Sequence, residues 1–191
     1  QIWIKVLIGC VPAGIVGLLF DDLIDKWLYH WYIVAVMLIV YGILFIVVEN
    51  YQKGRKPKVT KMSQLTVPMI LIIGVFQMLA LIPGTSRSGA TIVGALMIGV
   101  SRGLAAEYTF FLAIPVMFGA SLVKLVKFGF DFTVMQAVLL VLGMAVSFAV
   151  SILAIKFLLG YIRKNDFKVF GYYRIVLGIV VLLYFGIMSL L

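Results

Sequence analysis

Apolar residues run along this chain in long blocks, and polar residues are confined to the gaps between them. Five blocks, Ile2 to Phe20, Trp31 to Val48, Ala105 to Val126, Thr133 to Leu159 and Tyr172 to Leu190, read as five membrane spans.

 The fourth of these blocks runs from Thr133 to Leu159. Each has about the 20 residues that a helix needs to cross a hydrocarbon core. Two further apolar blocks, Val67 to Ile82 and Ser88 to Val100, are shorter, and a Pro-Gly turn joins them. Two short helices meeting at a polar turn predict a re-entrant hairpin over about residues 65–100. Irregular backbone at membrane depth needs protein or a water-filled cavity around it. The simpler alternative is a span, a loop outside the membrane and another span. The predicted fold is an all-α polytopic membrane protein, with about five transmembrane helices plus one re-entrant hairpin, forming a single membrane domain over residues 1–191.

Composition agrees with that pattern. Of 191 residues, 64% are hydrophobic and 12% are charged, so a soluble globular domain is excluded. The net charge of +9 lies in the gaps between spans, where it acts as a topology signal rather than a nucleic-acid surface. The basic loop over about residues 51–63 carries Lys53, Arg55, Lys56, Lys58 and Lys61 without an acid, and it is predicted to be cytoplasmic. Lys5, Arg102 and a second basic cluster (Arg163, Lys164, Lys168 and Arg174) then fall on the same side. Asp21, Asp22 and Asp25, read as a short acidic loop, and Asp131 fall outside, as do Lys124 and Lys127 against the rule. Cys10 has no partner for a disulfide, and His30 sits among Trp27, Tyr29, Trp31 and Tyr32 in an interfacial aromatic belt.

The chemistry concentrates in Pro83-Gly-Thr-Ser-Arg-Ser-Gly-Ala-Thr91. A cation at bilayer depth costs roughly 2.5–3.5 kcal/mol on insertion scales, so Arg87 calls for an anionic partner. Its guanidinium matches phosphate bidentately and stays charged. The helix that follows directs unsatisfied N–H groups at the same spot. Gly84 and Gly89 allow a tight turn and close approach. Thr85, Ser86, Ser88 and Thr91 can hydrogen-bond phosphate oxygens, and Ser86 is also a candidate nucleophile, though no adjacent base is visible. The alternative is that the hydroxyls cap the helix and Arg87 pairs with Glu107. Gln77 either joins two helices or orients the site, and Glu107 either favours its own helix N-terminus or supports the site.

The string from Gln77 through Pro83-Gly-Thr-Ser-Arg-Ser-Gly-Ala-Thr-Ile, with Gly99-Val-Ser-Arg and Ala106-Glu-Tyr-Thr after it, closely resembles the undecaprenyl-pyrophosphate phosphatase, or bacitracin-resistance, family. The resemblance runs from Ile8-Gly-Cys-Val-Pro-Ala to Tyr173-Arg174. It implies hydrolysis of undecaprenyl pyrophosphate to undecaprenyl phosphate and inorganic phosphate at the bacterial inner membrane, which recycles the lipid carrier for cell-wall synthesis and confers bacitracin resistance. It also implies an inverted-repeat, transporter-like fold with a midplane site open to the outer face. Arg87 and Ser86 would be catalytic. Thr85, Ser88, Gly84, Gly89, Thr91 and Gln77 would bind substrate, with Glu107 in support. A divalent metal, Mg or Ca, is implied as cofactor, with its ligands mostly outside this chain and no metal-binding residue assigned within it. A homodimer is compatible with the resemblance.

The family's glutamate-rich N-terminal hairpin and Ser-Ser-Thr-Gly-His motif do not occur here. The chain therefore reads as the C-terminal two-thirds of the family fold, expected to be inactive by itself. A transporter or flippase of a lipid phosphate is the alternative function.

Overall fold

The computed structural model describes residues 2–129 and 133–189, without the side chains of Asp21, Asp22, Ile24, Asp25, Lys127, Phe128, Arg163 and Lys164. The sidedness expected for Asp131 and for the charges of Asp21, Asp22, Asp25, Lys127, Arg163 and Lys164 lies outside what is described. The described residues form seven α-helices: α1 (Ile2–Leu28), α2 (Trp31–Gln52), α3 (Val67–Met78), α4 (Arg87–Met97), α5 (Arg102–Phe128), α6 (Val134–Lys164) and α7 (Lys168–Met188). Five of them are long and apolar enough to cross a membrane, and Val67–Leu81 is a shorter apolar segment. The protein is a multi-pass membrane protein.

Several helix ends differ from the sequence expectation. Residues 21–25 belong to α1 rather than to an acidic loop. Residues 163 and 164 belong to α6, and Lys168 and Arg174 belong to α7, so no basic loop spans residues 163–174. Hydropathy marks where the apolar block stops, whereas the helix continues as long as backbone N–H and C=O groups pair inside it. Thr133 does end its helix as a side-chain signal: its hydroxyl accepts from Gln136 N, and the Gln136 side chain accepts from Thr133 N.

Two close helix pairings build the frame. Helix α2 packs on α7 through glycine: a Cβ on Gly42 would stand 2.7 Å from the Gly171 carbonyl oxygen, and one on Gly178 would stand 2.8 Å from the Ala35 carbonyl oxygen. Lipid tails supply no hydrophobic drive between helices, so this backbone-to-backbone approach provides the van der Waals gain instead. Helix α1 packs on α3, where Gly74 admits Gly9 and Pro12. The side of α1 facing inward also holds Tyr108 of α5, whose hydroxyl donates to Lys5 O at 2.9 Å.

Helices α3 and α4 fold back on each other through a 3-10 turn, Leu79–Leu81, and a tight bend. The outer end of α4 returns to the C-terminal end of α2 and the segment that follows it. Lys58 N donates to Gly99 O at 2.8 Å, Ser101 N donates to Val59 O at 2.8 Å, and the Gln52 amide donates to Leu96 O. Lys5 joins the same end, donating to Met62 O and Ser63 O at 3.1 and 3.0 Å. Helix α4 is buried from Gly89 to Leu96, as expected of a helix surrounded by protein. Around it sit Val6, Ile70, Ile73, Ala105, Tyr108 and Leu112, all at or near complete burial.

Candidate anion site at the hairpin tip

The bend between α3 and α4 is held from two sides. Gly84 has φ +86°, a conformation that L side chains rarely adopt, and a Cβ there would meet the backbone of Val34 on α2. From α7, Arg174 Nη2 donates to Gly84 O at 2.6 Å. Thr85 N closes the bend on Ile82 O at 3.1 Å. The site is therefore carried by backbone that packing fixes, not by a free loop.

Helix α4 then begins. Ser86 is its N-cap, and its hydroxyl accepts from Gly89 N at 3.2 Å. Ser88 Oγ lies 3.2 Å from Ser86 Oγ. Arg87 is half-buried, and its Nη1 donates to Ala113 O at 3.3 Å, which leaves the rest of its donor fork for a ligand. Among the described residues no ion pair joins Arg87 to Glu107, which is exposed on α5 and makes no hydrogen bond to the tip. The structural alternative of an Arg87–Glu107 pair is thus not formed, and the support expected of Glu107 finds no contact.

Thr91 also departs from the sequence expectation. It is 1% exposed, and its hydroxyl is within 3.1 Å of the carbonyls of Arg87 and Ser88 and 2.9 Å from Thr109 Oγ1. One turn beyond Ser88, it faces α5 and ties the two helices together. Its hydrogen-bonding capacity is used within the fold, so it is not placed to receive an anion.

Arg174 is the residue that sequence reasoning missed. Its charge was absorbed into a topology signal, yet its side chain reaches the tip and lines a cavity of about 220 Å³ with Ser86, Ser88 and Gly89. The signal that could have found it is positional: an arginine six residues into an apolar helix, beyond the reach of a terminal loop. Three buried polar atoms have no hydrogen-bond partner among the described residues: Arg174 Nε, Thr85 Oγ1 and Gln77 Nε2. Buried donors without partners are uncommon and mark a place where a ligand or water belongs.

The tip thus offers hydroxyls, a helix N-terminus and the Arg87 guanidinium, all of which suit a phosphate, and Arg174 brings a second guanidinium to the cavity beside Ser86 and Ser88. Its donor set does not suit a divalent cation. No carboxylate lies among these residues, and no group of three or more His, Cys, Asp or Glu that could hold a metal occurs among the described residues. His30 lies elsewhere, exposed and stacked on Tyr32 with ring centroids 5.2 Å apart.

Comparison with known proteins decides the family. The model of the bacitracin resistance protein BacA family matches residues 1–180. The chain belongs to the BacA family. Among BacA-family relatives, the undecaprenyl-diphosphatase of Desulfitobacterium hafniense is 60% identical over 187 residues, covering 97% of this chain and 67% of the relative. The undecaprenyl-diphosphatase of Acetivibrio thermocellus is 60% identical over 185 residues, covering 97% of this chain and 68% of the relative. Undecaprenyl-diphosphatase 1 of Clostridium acetobutylicum is 59% identical over 186 residues. This BacA chain therefore spans about two-thirds of the length of these relatives.

Proposed function

We propose that this protein hydrolyses undecaprenyl diphosphate to undecaprenyl phosphate and inorganic phosphate, with the α3–α4 tip as its diphosphate-binding half. The observation that carries this reading is a half-buried Arg87 at the N-terminus of α4, three residues beyond the Gly84 carbonyl that Arg174 holds from α7. In the reaction, water adds to the terminal phosphorus and the bridging P–O bond breaks. Negative charge grows on the bridging oxygen as the lipid monophosphate leaves. Fixed guanidiniums and N–H groups in a partly dry site stabilise that charge without reorganising. Ser86 and Ser88 orient the phosphate oxygens. Ser86, the candidate nucleophile, has no His, Asp or Glu hydrogen-bonded to it among the described residues. The divalent metal implied by the resemblance finds no carboxylate at the tip, and no step is routed through it.

We place the basic end of the bundle on the cytoplasmic side of the bacterial membrane and read α3–α4 as a re-entrant hairpin whose tip opens toward the outer face. The return of the outer end of α4 to the C-terminal end of α2 supports this placement, as does the run of five basic residues in 51–61.

The test is Arg87→Ala in the full-length protein, reconstituted in liposomes with undecaprenyl diphosphate. Phosphate release should fall by at least about a hundredfold, the scale for removing one oxyanion-stabilising donor, while membrane insertion is unchanged. Turnover near that of the unmodified protein would reject the assignment. Leaflet exchange of the lipid without phosphate release would instead favour a flippase.

A further inference from the structure

A second, larger cavity opens at the basic end, away from the tip. It occupies about 680 Å³ between the ends of α2 and α4, the start of α5 and the α6–α7 link. That volume is within the range of small-ligand sites. Leu96 on its wall is ten residues along α4 from Ser86, about 15 Å at 1.5 Å per residue. The polar groups of the two cavities are therefore apart, although Ile162 forms a wall of both.

Its polar lining comes from Gln52, Arg55, Ser101, Arg102, Asn165 and Asp166. Two guanidiniums are held there by contacts that leave donors over. Arg55 lies 3.8 Å from the centroid of the Tyr51 ring, and no hydrogen bond among the described residues uses its side-chain N–H groups. Arg102 is clamped by the buried carboxylate of Glu49: its Nε lies 3.0 and 2.9 Å from the two carboxylate oxygens and its Nη2 also bonds one of them. Arg102 Nη1 makes no hydrogen bond among the described residues, and the side chain is 41% exposed and lines the cavity. The Glu49 clamp removes rotamer entropy from Arg102 before a ligand arrives, while Arg55 is exposed and rests on Tyr51. Asp166 opposes an anion, but it is within 3.9 Å of Lys168. Lys53, Lys56, Lys58 and Lys61 flank Arg55 in sequence, without an acid from 51 to 61, and add positive charge to this end of the chain.

We infer that this cavity is a second phosphate site, taking a phosphate-bearing group between Arg55 and Arg102. Two sources share that chemistry: the headgroup of an anionic lipid, and free inorganic phosphate. The inference is independent of the hydrolase reading, because none of these residues lies at the hairpin tip.

The experiment uses full-length protein carrying Arg87→Ala, so that the tip does not compete. Binding of phosphatidylglycerol is measured by native mass spectrometry, and binding of inorganic phosphate by the rise in unfolding temperature. Adding Arg55→Gln should weaken binding about tenfold, the effect of losing one charge-assisted contact. Adding Asp166→Asn should strengthen it, a change of opposite sign that misfolding would not produce. Lipid binding with this pattern identifies a headgroup site, and phosphate binding with this pattern identifies a soluble-anion site. Absence of both ligands, or binding that neither substitution moves, overturns the inference.

Discussion

Replacing Arg102 with methionine removes the partner of a carboxylate that the fold has taken almost entirely out of water. Glu49 is 1% exposed, and besides Arg102 it accepts only from Phe167 N, at 3.1 Å, among the described residues. Removing one partner of a buried pair costs about 3–5 kcal/mol, because the remaining charge is left uncompensated. Arg102→Met should lie within that range. Glu49→Gln should cost less, about 2 kcal/mol, since it loses charged hydrogen bonds but leaves an arginine that is 41% exposed and can reach water. The double variant Glu49→Met with Arg102→Met should recover much of the loss, because two apolar side chains leave no orphaned charge. The assay is unfolding of the protein in mixed micelles, followed by tryptophan fluorescence and fitted at several denaturant ratios. The reasoning fails if Arg102→Met is within about 0.5 kcal/mol of the parent, or if the double variant is no more stable than Arg102→Met alone. Either result would mean that the carboxylate is not held in a dry environment by these three elements.

Gly84→Ala should disrupt the tip by about 2–4 kcal/mol, from the positive φ and the overlap with Val34, and phosphate release should fall with it; retained stability and rate would refute the packed bend. Thr91→Val should lower stability by about 1–2 kcal/mol while leaving KM unchanged, and a selective rise in KM would restore it as a substrate contact. Arg174→Lys should raise KM for the diphosphate and loosen the tip together, since lysine cannot reproduce the donation to Gly84 O with a second donor left over; unaltered kinetics would remove Arg174 from the site. Residues 1–191 expressed by themselves should bind pyrophosphate in calorimetry but release no phosphate, given that no base contacts Ser86 among the described residues; hydrolysis by them would show that the tip supplies its own base.

Much of the helical architecture was legible because membrane spans are set by a one-dimensional quantity, the length of an apolar block. Hydropathy found the five long helices and the two short ones, and the Pro-Gly turn between Ile82 and Thr85 placed the bend. Arg87 stood out for the same reason, as a charge where the solvent is lipid. The misreadings were of two kinds. Helix ends such as residues 21–25 were assigned by polarity, although backbone pairing decides them. Individual side chains were assigned by type: Thr91 looked like a phosphate contact, and Arg174 looked like a topology charge.

The sequence by itself determined that the chain spans a membrane, which segments do so, and that an anion-binding string interrupts them. Only the tertiary structure decided which polar groups share a site. Thr91 turns toward Thr109, Glu107 faces outward, and Arg174 comes from ninety residues away to hold Gly84. Burial and apolar length are properties of a segment and its solvent, so they can be read along the chain. A hydrogen bond between distant residues depends on helix rotation and close packing, which glycine contacts such as Gly42 with Gly171 fix only once the helices have met.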